Sequence, residues 1–234
     1  MSLKSLREIV KKHANPEQAK ILMRFFKTGN GKYGEGDEFL GIKVPVSRKI
    51  AKQFTNLSLE EIQELLNSSI HEERLIALFI LTEQFRKADA ARKKIIYNFY
   101  LKNTKRVNNW DLVDLSAEKI IGAYLLDKGT KILFKLARSR NLWERRIAIM
   151  STFHFIKNGL YDTTLEISNI LLDDEHDLIH KAVGWMLREV GNRKLVVEEK
   201  YLKKHYISMP RTMLRYAIEK FPEEKRQAYL KGKI

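Results

Sequence analysis

The chain has 234 residues, of which 44% are hydrophobic, and 44 Lys and Arg stand against 29 Asp and Glu, a formal charge of +15 with a pI near 9.8. That apolar share suffices for a sizeable core and argues against disorder. No run approaches the roughly 18 apolar residues of a spanning helix, and the start, Met1-Ser2-Leu3-Lys4-Ser5-Leu6-Arg7-Glu8, reads as a charged amphipathic segment rather than a signal peptide. A soluble, cytoplasmic protein is expected. The absence of cysteine excludes disulfides, thiolate metal sites and thiol nucleophiles together.

Apolar residues recur at helical spacing nearly throughout and no hairpin signature interrupts them, so the pattern predicts an all-α chain. In chain order the expected helices are 3–13, 16–27, 45–54, 59–67, 72–87, 90–103, 110–126, 129–138, 142–157, 163–172, 177–190, 195–205, 211–220 and 223–231. Pro16, Pro45, Pro210 and Pro222 stand at or near helix starts, where a missing N–H costs nothing, and Ser58 with Glu61 forms a capping box. The stretch 28–44 holds Gly29, Gly31, Gly34, Gly36 and Gly41 but matches no phosphate-binding loop and follows no predicted strand, so it reads as a plain connection. Helix pairs recur at 59–87, 90–126, 129–157, 163–190 and 195–220, about every 35–45 residues, the period of HEAT and armadillo arrays. The expected architecture is one HEAT-like-repeat domain over 1–234, a right-handed solenoid of HEAT/ARM-like helix pairs with a concave groove lined by 110–126, 142–157 and 177–190.

Several side chains depart from simple packing. At about 100° per residue, Trp110, Val113, Asp114, Ala117, Ile121 and Tyr124 share one stripe of the helix expected over 110–126, which puts a carboxylate inside an apolar arc. Burying it there is costly without a partner or a cleft. Arg146 falls at the edge of the arc formed by Trp143, Ile147, Met150 and Phe153, and offers a cation. Trp185 lies off the arc of Ile179, Val183, Met186 and Val190, between Lys181 and Arg188. An aromatic ring between cations suits a nucleic acid better than a core; Trp143 reads as core.

The positive charge is uneven, with 14 Lys and Arg against 6 Asp and Glu in 181–234. Distributed cations favour a polyanion, and nucleic acid is the first choice because phosphate neutralisation releases counterions. His176 and His180, spaced i, i+4 near Asp173, Asp174, Glu175 and Asp177, lack a third ligand at a telling spacing and read as a solvated helix start, not a metal site. His13, His71, His154 and His205 form no constellation along the sequence.

Four segments in order, Tyr33-Gly34-Glu35-Gly36-Asp37-Glu38-Phe39-Leu40-Gly41-Ile42-Lys43-Val44-Pro45, Trp110-Asp111-Leu112-Val113-Asp114, Trp143-Glu144-Arg145-Arg146 and Lys181-Ala182-Val183-Gly184-Trp185-Met186-Leu187-Arg188-Glu189, resemble the AlkD family of DNA alkylation repair enzymes. The resemblance covers almost the whole chain. It implies a HEAT-like fold and a monofunctional DNA glycosylase, acting without cofactor or metal, that removes N3- and N7-alkylated purines from duplex DNA. Carried over by position, Asp114 matches the catalytic aspartate, Trp110 and Trp185 the groove tryptophans, and Arg146 the groove arginine, with Phe25 and Phe26 as candidates for lesion-side contacts. Lys181, Arg188, Arg145, Arg211 and Arg215 are the further cations expected on the duplex. The resemblance also implies a lesion that stays stacked, and a chain of this size is expected to act as a monomer.

The chemistry suits these residue types. Breaking the N-glycosidic bond develops positive charge on the sugar, which a fixed carboxylate stabilises while orienting a water. A purine alkylated at N3 or N7 is already cationic and leaves as a neutral base, so one carboxylate suffices without a general acid. No lysine in the motifs is placed to form a Schiff base, so strand cleavage is not expected. The competing reading, of a different class, is a non-catalytic HEAT-repeat module that binds damaged or branched DNA.

Overall fold

A computed structural model describes residues 2–234 as helices and connecting turns, with one isolated parallel bridge between Glu38 and Ile70. The fold is all-α. Two compact units divide the chain at Ser116/Ala117.

The first unit begins with α1 (Leu3–Lys12), capped by the Ser2 hydroxyl and packed through Leu6 and Val10. α2 (Pro16–Phe25) starts with Asn15 as cap and proline in its first turn, and leaves Ile21, Met23 and Phe25 exposed. After the glycine-rich stretch come α3 (Val44–Gln53) and α4 (Leu59–Leu66), the latter opened by the expected Ser58–Glu61 capping box. Both pack on α5 (His71–Lys87), the central helix, apolar all round over 75–81 and therefore buried on every side. α6 (Ala90–Lys102) and the five-residue α7 (Trp110–Asp114) complete the unit.

The second unit opens with a π turn, Glu118–Gly122, and a short α8 (Ala123–Leu125), followed by α9 (Lys131–Ala137), α10 (Leu142–Ser151), α11 (Phe153–Lys157) and α12 (Asp162–Ile170). Its longest element, α13 (Asp177–His205), bends at Lys194, whose φ of −148° and ψ of 79° are not helical. α14 (Arg211–Ala217) and α15 (Glu223–Leu230) end the chain. α13 lies tightly against α14: a Cβ at Gly184 would collide with the Met213 carbonyl oxygen and the Tyr216 Cβ, so only glycine permits this approach.

Two expectations change. The helix expected over 110–126 breaks after Asp114 and resumes with a π turn, so Ala117, Ile121 and Tyr124 do not continue the helical register of Trp110 and Asp114. The helix expected over 142–157 is interrupted at Thr152, whose hydroxyl bonds the Ile149 carbonyl at 2.7 Å. The helices expected over 177–190 and 195–205 are both present, on either side of the kink at Lys194 within α13.

The stretch 28–44 is more than a connection. Glu72 of α5 accepts the backbone N–H groups of Leu40, Gly41 and Ile42 at 2.8–3.1 Å, and the bridge at Glu38 ties it to the start of α5. Gly41, at φ +83°, packs where a Cβ would strike the Asn15 carbonyl. The loop thereby carries Asp37 into the interior, where it is 5% exposed.

Candidate active site

In the first unit, α7 presents Trp110 and Asp114 four residues apart, hence on one face with Cβ atoms about 5–6 Å apart. Both are half-buried, whereas Leu112 and Val113 between them are fully buried and hold the opposite face in the core. The Asn109 side chain starts the helix by accepting the Trp110 N–H at 2.8 Å, and Asp111 Oδ1 accepts the Leu112 N–H at 2.8 Å. The Asp114 carboxylate lies close enough to Tyr100 to raise the pKa of its hydroxyl, which burial already pushes well up. That hydroxyl is fully enclosed, 2.9 Å from Ser116 Oγ.

The Trp110 indole is backed by a ladder of rings. It stacks on Phe26 (5.1 Å between centroids, 14° between planes), Phe26 on Phe39 (5.0 Å, 22°), and Phe39 on the His71 imidazole (4.5 Å, 19°). Phe25 meets Trp110 edge-on at 5.7 Å and is 61% exposed. One indole face is thus occupied by protein, which sets the ring's tilt.

Behind the ladder is a buried charge network that the sequence reading missed. His71 Nε2 is 2.9 Å from Asp111 Oδ2 and Nδ1 is 3.1 Å from Asp37 Oδ2; Arg74 pairs with Asp37 Oδ1 at 2.6 Å, and the Asn109 amide donates to Asp37 Oδ2 at 3.2 Å. Burial opposes the charged imidazole, but the Asp111 charge and hydrogen bond, with the Asp37 hydrogen bond, lift its pKa to about 9 against opposition from Arg74. Burial likewise pushes the Asp37 carboxyl up, yet the His71 hydrogen bond and the Arg74 charge hold it below its ordinary value. His71 therefore belongs to a buried charge network that its spacing in the sequence does not announce. Its partners lie 34 and 40 residues away in sequence, outside any local pattern. The available signal was four consecutive polar residues, His71 to Arg74, opening a helix otherwise apolar all round; all four are buried.

The second unit holds the remaining expected residues. Trp143 is core, as expected. Arg146 is buried (5% exposed) and donates through Nη1 to the Leu178 carbonyl in the first turn of α13. Arg145 bonds Asp174 at 2.6 Å and the Ser139 and Arg140 carbonyls at 3.1 Å. Trp185 is half-buried; its indole N–H donates to Glu189 at 3.3 Å and its ring leans on Phe153 at 6.2 Å. Lys157 and Arg193 lie over the Phe153 ring at 4.2 and 5.5 Å, two cations near Trp185 that the sequence reading did not single out. Lys181 pairs with Asp177 at 2.7 Å and Arg188 with Glu219, so both flanking cations have acidic partners. Arg211 donates to the Leu230 carbonyl at 2.9 Å, and Arg215 is exposed.

The description "DNA alkylation repair enzyme" matches residues 6–221. The chain belongs to the DNA alkylation repair enzyme family. Membership assigns it to DNA alkylation repair, with DNA as its partner. Two solved structures share the fold of this family member at 17% identity. A predicted DNA alkylation repair enzyme from Enterococcus faecalis aligns over 90% of this chain and 98% of its own, with a TM-score of 0.70. AlkD2 from Streptococcus mutans aligns over 95% and 100%, with a TM-score of 0.54. No curated protein matches significantly.

Among the described residues, no group of three or more His, Asp or Glu side chains is placed to hold a metal ion, and no helix is long and apolar enough to cross a membrane. His176 instead caps α13, accepting the Leu178 N–H at 3.1 Å, and the His180 ring bonds the Asp174 carbonyl.

Proposed function

We propose that this repair-family member is a monofunctional DNA glycosylase that hydrolyses the N-glycosidic bond of cationic N3- and N7-alkylated purines in duplex DNA. The observation that carries the reading is the pairing of Asp114 with Trp110 on one short helix, the carboxylate half-buried and the indole backed by stacked rings. Half-burial suits the role, because an electrostatic stabiliser gains strength away from water yet must still meet the sugar.

In this mechanism the leaving purine, already cationic, departs as a neutral base. Asp114 stabilises the oxocarbenium-like sugar and orients the attacking water. The face of Trp110 opposite Phe26 holds the deoxyribose and favours its growing charge, as an aromatic face does a cation; Trp185 is assigned to contact with the DNA. Arg146 is assigned to a backbone phosphate, which its planar guanidinium suits. Lys181, Arg188, Arg145, Arg211 and Arg215 are assigned to backbone contacts, where those already paired with acids exchange a carboxylate for a phosphate. The monomeric state and the stacked lesion belong to the same proposal.

The test is base release from a duplex carrying one N7-methylguanine, comparing wild type, Asp114→Asn and spontaneous depurination. Release well above background, lowered about 10²–10³-fold in the variant, supports the reading. Tight duplex binding without release in both proteins moves the assignment to a non-catalytic binder of damaged or branched DNA. A neutral lesion such as hypoxanthine is expected to be a poor substrate, and its efficient excision would refute the single-carboxylate mechanism.

A further inference from the structure

We propose that His71 is a positioning residue for base release: clamped between Asp37 and Asp111, it pins α7 and thereby sets where Trp110 and Asp114 stand. The proposal rests on the glycosylase reading for its consequence, and on the geometry of the first unit for its substance.

α7 has five residues, too few to be stable alone, since a helix this short scarcely repays its nucleation. Its placement must come from outside. The two residues that flank Trp110 both enter the buried network, Asn109 through its amide on Asp37 and Asp111 through its carboxylate on His71. The network joins three segments: Asp37 from the loop, His71 and Arg74 from α5, and Asn109 with Asp111 at the start of α7. A second route links the same imidazole to the same indole through Phe39 and Phe26. Trp110 is thus held from its backbone and from its ring by contacts that both lead to His71.

The charges that face the imidazole are Asp37 from the loop, Asp111 from α7 and Arg74 on its own helix; the residue that follows α2, Phe26, contributes an uncharged ring. With both ring nitrogens directed at carboxylates, the ring donates twice and is an imidazolium. Two anions and two cations then balance. A buried cluster of this kind is weak evidence for stability, because an apolar replacement often does as well. What it supplies that apolar packing does not is direction: two hydrogen bonds at opposite corners of a rigid ring allow α7 little rotation.

The experiment uses wild type, His71→Gln and Asp111→Asn, with single-turnover base release, duplex Kd, and the NMR resonance of the Trp110 indole N–H, assigned with Trp110→Phe. His71→Gln is expected to lower the release rate at least 10-fold at pH 7 while Kd stays within about 2-fold. Asp111→Asn retains an oxygen for the Nε2 N–H but removes a charge, so its rate relative to wild type should fall further at pH 9 than at pH 6; the ratio cancels the pH dependence of the substrate. In wild type the indole resonance should move with the His71 titration, and in Asp111→Asn that movement should come at lower pH. A folded His71→Gln protein with a wild-type rate, or an indole resonance indifferent to the titration, overturns the proposal. Absence of release by wild type refutes the glycosylase reading instead, and the pin on α7 then stands or falls on the indole resonance alone.

Discussion

Glu198 lies on α13 beyond the bend, 1% exposed, its carboxyl against Gly191 and its Oε1 without a hydrogen-bond partner. Burial first, and then the charge of Glu199, push its pKa up to about 8, while Arg188 and Lys225 pull the other way. For a carboxyl raised in the folded state, the stabilising contribution is whole below the unfolded value and is lost as pH rises through the folded one. The unfolded value is near 4.5, so the loss runs from about pH 5 to about pH 8. At about 1.4 kcal/mol per pH unit it totals about 4–5 kcal/mol.

Glu198→Gln keeps the shape and does not titrate. Its absolute stability depends on how the buried amide is accommodated, a constant at all pH. The difference from wild type should grow in favour of the variant by about 1.4 kcal/mol per unit up to about pH 8, then level off. Urea unfolding at pH 5, 6.5, 8 and 9 measures this. In a Trp110→Phe background the remaining tryptophans, Trp143 and Trp185, both report on the second unit. A difference that stays flat with pH would show that Glu198 is ionised in the folded protein and would refute the reasoning.

His71 gives the corresponding test in the first unit: its pKa, raised from 6.5 to about 9, means stability fully present below about pH 6.5 and lost as pH rises to about 9, about 3 kcal/mol in all, read by the pH dependence of unfolding seen through Trp110. Gly184→Ala should destabilise by about 1–3 kcal/mol or more, because α14 must move away from α13; an unchanged thermal midpoint would show that the two helices are not locked there. Arg215→Ala should reduce the slope of log Kd against log salt by about 1 for any duplex, and an unchanged slope would remove Arg215 from the interface.

The helical class and most helix positions were legible because apolar spacing and capping chemistry are local. The pairing of Trp110 with Asp114 was legible for the same reason, since four residues span one helical turn. The breaks after Asp114 and at Thr152 carry no proline or glycine and were not. At Thr152 the hydroxyl bonds a carbonyl of the preceding turn, a choice that threonine's sequence context does not announce. The depth of Arg146 and the acidic partners of Arg145, Lys181 and Arg188 were equally hidden, because a cation's partner, unlike a hydrophobic stripe, leaves no periodicity. Asp37 was passed over because a glycine-rich stretch looks like linker until α5 is seen to hold it.

The balanced cluster of Asp37, His71, Arg74 and Asp111 also constrains how this chain can change. Neutralising His71 leaves two buried acids facing one guanidinium, and removing either acid leaves two buried cations facing one carboxylate. Every single-step neighbour is therefore worse than the intact set or its complete apolar replacement, so the four positions form an epistatic block whose members should vary together among relatives or not at all. A graft of Trp110-Asp111-Leu112-Val113-Asp114 into a related scaffold that lacks the partners would transfer the indole and the carboxylate and leave behind the buried contacts of Asp111 with His71.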